Sequence, residues 1–140
     1  MTLIVICGAT ASGKSSLALD VAEKLGGEIV NADSMQLYRG MDIGTAKVPE
    51  NERRGIAHHM LDILDIHDDA TVAYYQQKAR AIIDNLLASR IPVIVVGGTG
   101  LYIKALLDEL NFPERDPSVR ERLFAEAEAL GAHAMHQRLA

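Results

Sequence analysis

A chain of 140 residues, 49% apolar and 24% charged, has the balance of a soluble globular protein and the length for one core. Its net charge of −5 excludes a surface built mainly to hold nucleic acid, although a local basic patch is still allowed. A single cysteine excludes an internal disulfide, and with no signal peptide or membrane-length apolar run the expectation is a cytoplasmic protein without membrane contact.

In chain order, residues 3–7 read as a buried strand that ends on Cys7, expected to be a buried structural thiol. A helix over residues 15–25 follows, with Leu17, Val21 and Leu25 on one face, and Gly26-Gly27 ends it. Residues 28–31 form a short second strand. Residues 32–57 carry Gly, Asn, Asp, Pro and charges without sustained periodicity, the mark of a functional or mobile loop. Residues 58–64 are a candidate third strand. Thr71 is a good N-cap for a helix through Ser89, with Ala79, Ile82, Ile83 and Leu86 spaced for one face. Residues 91–96 are the strongest buried strand, with Pro92 near its start, where a missing N–H is tolerable. A glycine-rich turn at 97–100 opens a helix through about residue 110, and 111–115 read as a linker. Asp116 then caps a last helix with Pro117 at its first position and Val119, Leu123, Ala127 and Leu130 on its inner face.

Strands alternating with helices imply an α/β fold, a parallel sheet with helices on both faces, and apolar strands with little alternation agree. Ligands in such folds bind at the carboxyl ends of the strands. The segments after the first, second and last strands should therefore meet in one cleft.

The first of these carries the most specific local signal. Gly8-Ala9-Thr10-Ala11-Ser12-Gly13-Lys14-Ser15 fits G-x-x-x-x-G-K-[ST], between a β-branched run and a helical pattern. Its glycines let successive N–H groups approach phosphate oxygens, and the following helix adds its positive N-terminal dipole. Lys14 supplies a compact charge for a di- or triphosphate, and the Ser15 hydroxyl is placed to bind a Mg2+ that the phosphates share. Asp33, directly after the second strand, faces the cleft as a proton acceptor or a metal partner through water, or else caps a turn. Ser34 and Gln36 are either turn residues or readers of a substrate. Thr99 is either a phosphate donor or an ordinary helix N-cap. ATP-hydrolysing proteins with this loop usually end a buried strand on an acidic metal ligand, but here the strand ends in Gly97, which weakens the case for an NTP hydrolase. The adjacent His58 and His59 would point to opposite faces of a strand, favouring structural roles. His133 and His136 lack a third ligand and read as a solvated helix face.

Taken together, the motifs resemble the bacterial tRNA dimethylallyltransferases, also called tRNA isopentenyltransferases. The matching stretches are residues 8–15, the run Asp33-Ser34-Met35-Gln36-Leu37-Tyr38-Arg39-Gly40-Met41-Asp42-Ile43-Gly44-Thr45-Ala46-Lys47, His58-His59-Met60-Leu61-Asp62-Ile63, Gly97-Gly98-Thr99-Gly100-Leu101-Tyr102 and Asp116-Pro117-Ser118-Val119-Arg120. They keep the family's order over nearly the whole chain, and the 33–47 run is far more specific than the phosphate loop.

The resemblance implies a P-loop-type core over residues 1–112 and the start of a helical, tRNA-binding insertion over 113–140. It implies transfer of a dimethylallyl group from dimethylallyl diphosphate to N6 of an adenosine beside the anticodon (position 37) of tRNA. Gly8, Ala9, Thr10, Ala11, Ser12, Gly13, Lys14 and Ser15 would bind the donor diphosphate, with Mg2+ on Ser15. Asp33, Thr99 and Lys14 would be catalytic, Asp33 as general base. Asp33, Ser34, Met35, Gln36, Thr99 and Arg120 would contact the anticodon loop of the tRNA, and the protein would act as a monomer. Ala9 stands where the family often has proline. Family members run to roughly double this length, so the expectation is a fragment whose donor site is largely encoded but which does not by itself modify tRNA efficiently. Prenylation of free adenine nucleotides, a small-molecule kinase and a non-catalytic nucleotide- or RNA-binding remnant are the alternatives.

Overall fold

The computed structural model describes residues 2–113 and 116–139, which divide into two compact units, Met1–Leu110 and Asn111–Ala140. The expected linker lies partly outside the described residues, at Glu114 and Arg115.

The first unit is a parallel four-stranded sheet. Strands β1 (Leu3–Cys7), β2 (Glu28–Asn31), β3 (His58–His59) and β4 (Val93–Gly97) lie in the order β1-β4-β2-β3. In register, Cys7 pairs with Gly97 and Asn31 with Val96, which brings three carboxyl ends level. Helix α1 (Lys14–Leu25) packs on one face with Ile29 and Ile94. Helices α2 (Val72–Ala88) and α3 (Gly100–Leu107) cover the other, where Val30, Val93 and Val95 point. Successive strand residues feed opposite cores, so strands apolar at every position are what the sheet requires.

Several expectations shift for identifiable reasons. Helix α1 buries Ala18, Leu19 and Ala22, whereas Leu17 and Leu25 are exposed. The 3.6-residue period is present, but small alanines take the closest approach to the sheet. The third strand stops after two residues because Met60 and Asp62 adopt left-handed φ of 59° and 55°, which a strand cannot continue through. Cys7 is exposed, at the last residue of a strand on the sheet edge. Helix α3 ends at Leu107, and its last carbonyls are taken by side chains of α2: Arg80 Nη2 donates to Ala105 O and Asp108 O, and Gln76 Nε2 to Ala105 O and Leu110 O. Thr71 does cap α2, its hydroxyl accepting the Tyr74 N–H at 3.1 Å.

In the second unit, helix α4 (Pro117–Leu139) starts as expected. Asp116 Oδ1 accepts the Ser118 N–H at 2.9 Å and the Ser118 hydroxyl at 2.6 Å, and these bonds hold its carboxyl below the usual range. The helix is broken at Gly131 (φ 81°, ψ 163°). Its expected inner face is not buried: Val119, Leu123 and Leu130 are all exposed. Across the break, Arg138 pairs with Glu126. Among the described residues no helix is long and apolar enough to cross a membrane.

Gly97 and His58 each carry a measurable consequence. A Cβ at Gly97 would lie 2.2 Å from the Ala32 carbonyl carbon and oxygen, so Gly97→Ala must push β2 and β4 apart. Urea unfolding should show a loss of about 3 kcal/mol or more, against less than about 0.5 kcal/mol for Gly44→Ala, whose Cβ meets nothing within 4 Å. Burial pushes the His58 imidazole down, helped by the charges of Arg53 and His59, and its Nδ1 bond to Ile56 O at 2.8 Å opposes this only in part. The unfolded chain thus takes up this proton at higher pH than the folded one, so the cost is absent above the unfolded value near 6.5 and grows as pH falls below it. Between pH 7.5 and 5 the wild type should lose more stability than His58→Asn; equal slopes would show that His58 titrates as it does in the unfolded chain.

Candidate active site

The carboxyl ends of β1, β2 and β4 surround a cavity of about 80 Å3. Thr10, Ala11, Lys14 and Ser15 line it from the phosphate loop, Asn31 and Asp33 from β2 and its exit, and Val96, Gly97 and Gly98 from β4. Gln36, Thr45 and Ala46 close it from the long loop. The three segments that the topology was expected to join do meet here.

The phosphate loop turns through left-handed φ at Ala11 (60°) and Gly13 (85°), and Gly13 O accepts the Leu17 N–H at 3.1 Å to start α1. Lys14 and Ser15 therefore lie in the first turn of α1, where backbone N–H groups have no partner within the helix. The Ser12 hydroxyl donates to Ala9 O at 2.7 Å, and the Lys14 ammonium donates to the same carbonyl, so both side chains fold back over the loop. Gly8 and Gly98 come close, a Cβ on Gly98 lying 3.5 Å from Gly8 O.

Asp33 leaves β2 into a 3-10 turn over Met35–Leu37. Its Oδ1 accepts the Met35 N–H at 2.9 Å, so the turn-capping role weighed for it is real and occupies one carboxylate oxygen. Thr99 precedes α3, but its hydroxyl does not cap that helix. It accepts the Ser34 N–H at 3.0 Å, tying the exit of β2 to the exit of β4. Gln36 Nε2 donates to Thr45 O at 2.9 Å and thereby holds the far wall. Met35, which precedes Gln36 in the 3-10 turn, is exposed. Arg120 lies in the second unit, its guanidinium 5.4 Å over the Phe124 ring.

Gly97 occupies the strand end where a hydrolase would carry an acidic metal ligand, and its clash distances leave no room for any side chain there. Among the described residues no group of three or more His, Cys, Asp or Glu side chains converges as a metal site.

Sequence reasoning missed Asn31, Thr45 and Ala46 as parts of this site, and Lys47 as the buried charge that holds the loop behind it. Lys47 is 8% exposed, and its ammonium contacts Tyr38 O at 2.7 Å, Asp42 Oδ1 at 2.8 Å and Asp62 Oδ1 at 2.5 Å. Burial works against that charge, but the bonds to Asp42 and Asp62 outweigh it and raise the lysine above its ordinary value. A lone polar residue at the end of an apolar strand was the available signal for Asn31; nothing in the loop's composition marks Lys47 as buried.

A family profile described as IPP transferase matches residues 36–140. The tRNA dimethylallyltransferase of Mycobacteroides abscessus is 58% identical over 137 residues, covering 98% of this chain and 44% of that protein. The protein of the same name from Frankia casuarinae is 60% identical over 138 residues, covering 98% and 47%. The crystal structure of tRNA delta(2)-isopentenylpyrophosphate transferase from Staphylococcus epidermidis superposes with a TM-score of 0.75 at 44% identity, over 89% of this chain and 41% of that one. The chain spans less than half the length of each of these proteins. Fold, order of motifs and a match over three quarters of its residues together place the chain in the IPP transferase family.

Proposed function

We propose that this chain carries the donor site and the base of a prenyl transfer, moving a dimethylallyl group from dimethylallyl diphosphate to N6 of adenosine 37 in tRNA. The observation that carries this reading is the placing of Asp33 in the same small cavity as Lys14 and Ser15. A carboxylate and a phosphate-binding loop on one cavity suit a reaction in which a diphosphate leaves while a proton is removed.

In that reaction the bond from the allylic carbon to the diphosphate oxygen breaks, and its electron pair leaves with the diphosphate. The N6 lone pair forms the new bond to that carbon, and one N6 proton passes to Asp33. The loop N–H groups from Gly8, Ala9, Thr10, Ala11, Ser12 and Gly13, with Lys14, stabilise the charge that grows on the leaving group. Mg2+ fits the residues present, because a cation that takes most of its ligands from diphosphate and water needs little beyond the Ser15 hydroxyl. When bound it would neutralise leaving-group charge. Gln36, which lines the cavity, and Ser34, Met35 and Thr99, which follow the strand ends, are the proposed contacts for the flipped adenosine, and Arg120 is a proposed tRNA contact in its own right. A tRNA substrate and a single cysteine accord with a cytoplasmic location, and the proposed form is a monomer.

A small-molecule kinase accounts for residues 8–15 but not for the 33–47 run, and Gly97 leaves no room for an acidic metal ligand at the end of β4. The chain is incubated with labelled dimethylallyl diphosphate, Mg2+ and either unmodified tRNA or AMP. Label on tRNA, at low yield, is expected; label on AMP alone, or ATP hydrolysis without transfer, overturns the reading. Lys14→Ala should weaken diphosphate binding about tenfold or more. Asp33→Ala should leave that affinity within about threefold while transfer falls by roughly 10²–10⁴. Loss of binding in Asp33→Ala would make Asp33 a metal or structural residue instead.

A further inference from the structure

We infer that Asn31 is a positioning residue for Asp33, and that it leaves Oδ2 of Asp33 as the proton-accepting oxygen. The inference rests on the prenyl-transfer reading only for the role of Asp33; the geometry stands apart from it.

Asn31 is the last residue of β2 and 3% exposed, two places after Ile29 and therefore on the face that packs against α1. A buried amide is costly unless its hydrogen bonds are made, so its presence here needs partners. It has three. Oδ1 accepts the Asp33 N–H at 3.0 Å, and Nδ2 donates to Asp33 O at 2.9 Å and to Met60 O at 2.9 Å. Mere satisfaction could be met by any neighbours. Here one amide grips both backbone polar groups of the same residue, which fixes the peptide planes on either side of Asp33.

The neighbours complete the restraint. Ala32 N–H donates to Val96 O at 2.8 Å, and Ala32 O accepts the Thr99 N–H at 3.1 Å. The main-chain carbonyl of Asn31 accepts the Tyr75 hydroxyl at 2.8 Å, and the Tyr75 ring stacks on Tyr102 with centroids 3.9 Å apart. Burial pushes the Tyr75 phenol well up, so it remains a donor to that carbonyl. Only the side-chain torsions of Asp33 are left, and the bond from Met35 N–H to Oδ1 sets these. Among the described residues Oδ2 has no hydrogen-bond partner, and Asp33 lines the cavity. The two oxygens are thus assigned different work, one to the turn and one to the proton.

The test uses the chain itself, labelled for NMR. In the wild type the Met35 amide shift should follow the ionisation of the Asp33 carboxyl. In Asn31→Ala that linked shift should fall by at least about half, and Asp33 amide exchange should rise about tenfold or more while the amides of Val30 and Val95 stay protected. Inorganic diphosphate affinity should stay within about threefold, and where transfer is measured kcat should fall about 10–100-fold with an unchanged donor KM. Asn31→Ser, which keeps one short donor, should fall between the two. A Met35 amide that still follows Asp33 in Asn31→Ala overturns the proposal, as does failure of both variants to fold, which would make Asn31 a core residue only. Absence of transfer in the wild type would count against the prenyl-transfer reading while the NMR result still decides the role of Asn31.

Discussion

The closest constraint in the molecule is the contact of β2 and β4 where both strands end. Ala32 sits so near Gly97 that no Cβ fits between them, and two backbone bonds, Ala32 N–H to Val96 O and Thr99 N–H to Ala32 O, close the gap. Gly97 is needed for close approach, since any side chain would meet backbone that cannot move aside. That contact sets the spacing of everything that follows each strand. Asp33 emerges on one side and Thr99 on the other, 66 residues apart in sequence and joined through the Ser34 N–H. The same crowding removes a position from the chemical repertoire. A fold of this class that hydrolyses NTP would place a carboxylate there; this chain places its carboxylate one strand over, at Asp33.

The long loop shows how order is made without regular structure. Residues 32–57 contain only two 3-10 turns, Met35–Leu37 and Glu50–Glu52, yet one wall of the cavity is built from them. Lys47 supplies the substitute for a hydrophobic core. A buried ammonium without acceptors is strongly disfavoured, so three oxygens from Tyr38, Asp42 and Asp62 gather on it and draw three turns of chain together. Asp42 and Asp62 remain half in water, which limits the energy gained but not the geometry imposed. Thr45 and Ala46, next to the lysine, are thereby held against Gln36.

Much of this was legible in the sequence because it follows from local rules. Strands β1 and β4 are nearly continuous apolar runs rich in Val and Ile, the caps at Thr71 and Asp116 are oxygen-bearing residues, and the glycine-rich loop over residues 8–15 lies between a strand and a helix. What was not legible depends on partners distant in sequence. The phase of α1 was missed because alanines, not the larger Leu17 and Leu25, face a close sheet. The end of α3 was missed because side chains of α2, Arg80 and Gln76, terminate it. The third strand was overdrawn because left-handed φ at Met60 and Asp62 is not encoded by glycine there. In the site, Asp33 and Thr99 were visible as residue types after strands, but their alternatives could not be separated from one sequence. The Asp33 carboxylate turned out to cap a turn and line the cavity together; the Thr99 hydroxyl turned out to cap nothing in its own helix.

The division of the Asp33 carboxylate has a consequence for the base role proposed for it. A carboxylate held at one oxygen by a backbone N–H gains a fixed direction at the other. In the proposed reaction that direction matters, because adenine N6 is a poor nucleophile and its proton has to be met within hydrogen-bond distance at the moment of attack. A freely rotating aspartate would spend most of its time elsewhere on a cavity wall. Backbone fixed by a buried amide, side chain fixed by the first turn of a 3-10 helix, and one oxygen left over is a sparing solution that uses no further charged group. The residues that hold Asp33 are neutral: Asn31, Ser34 and Thr99 position by hydrogen bonds and leave the electrostatics of the cavity to Lys14 and the helix dipole.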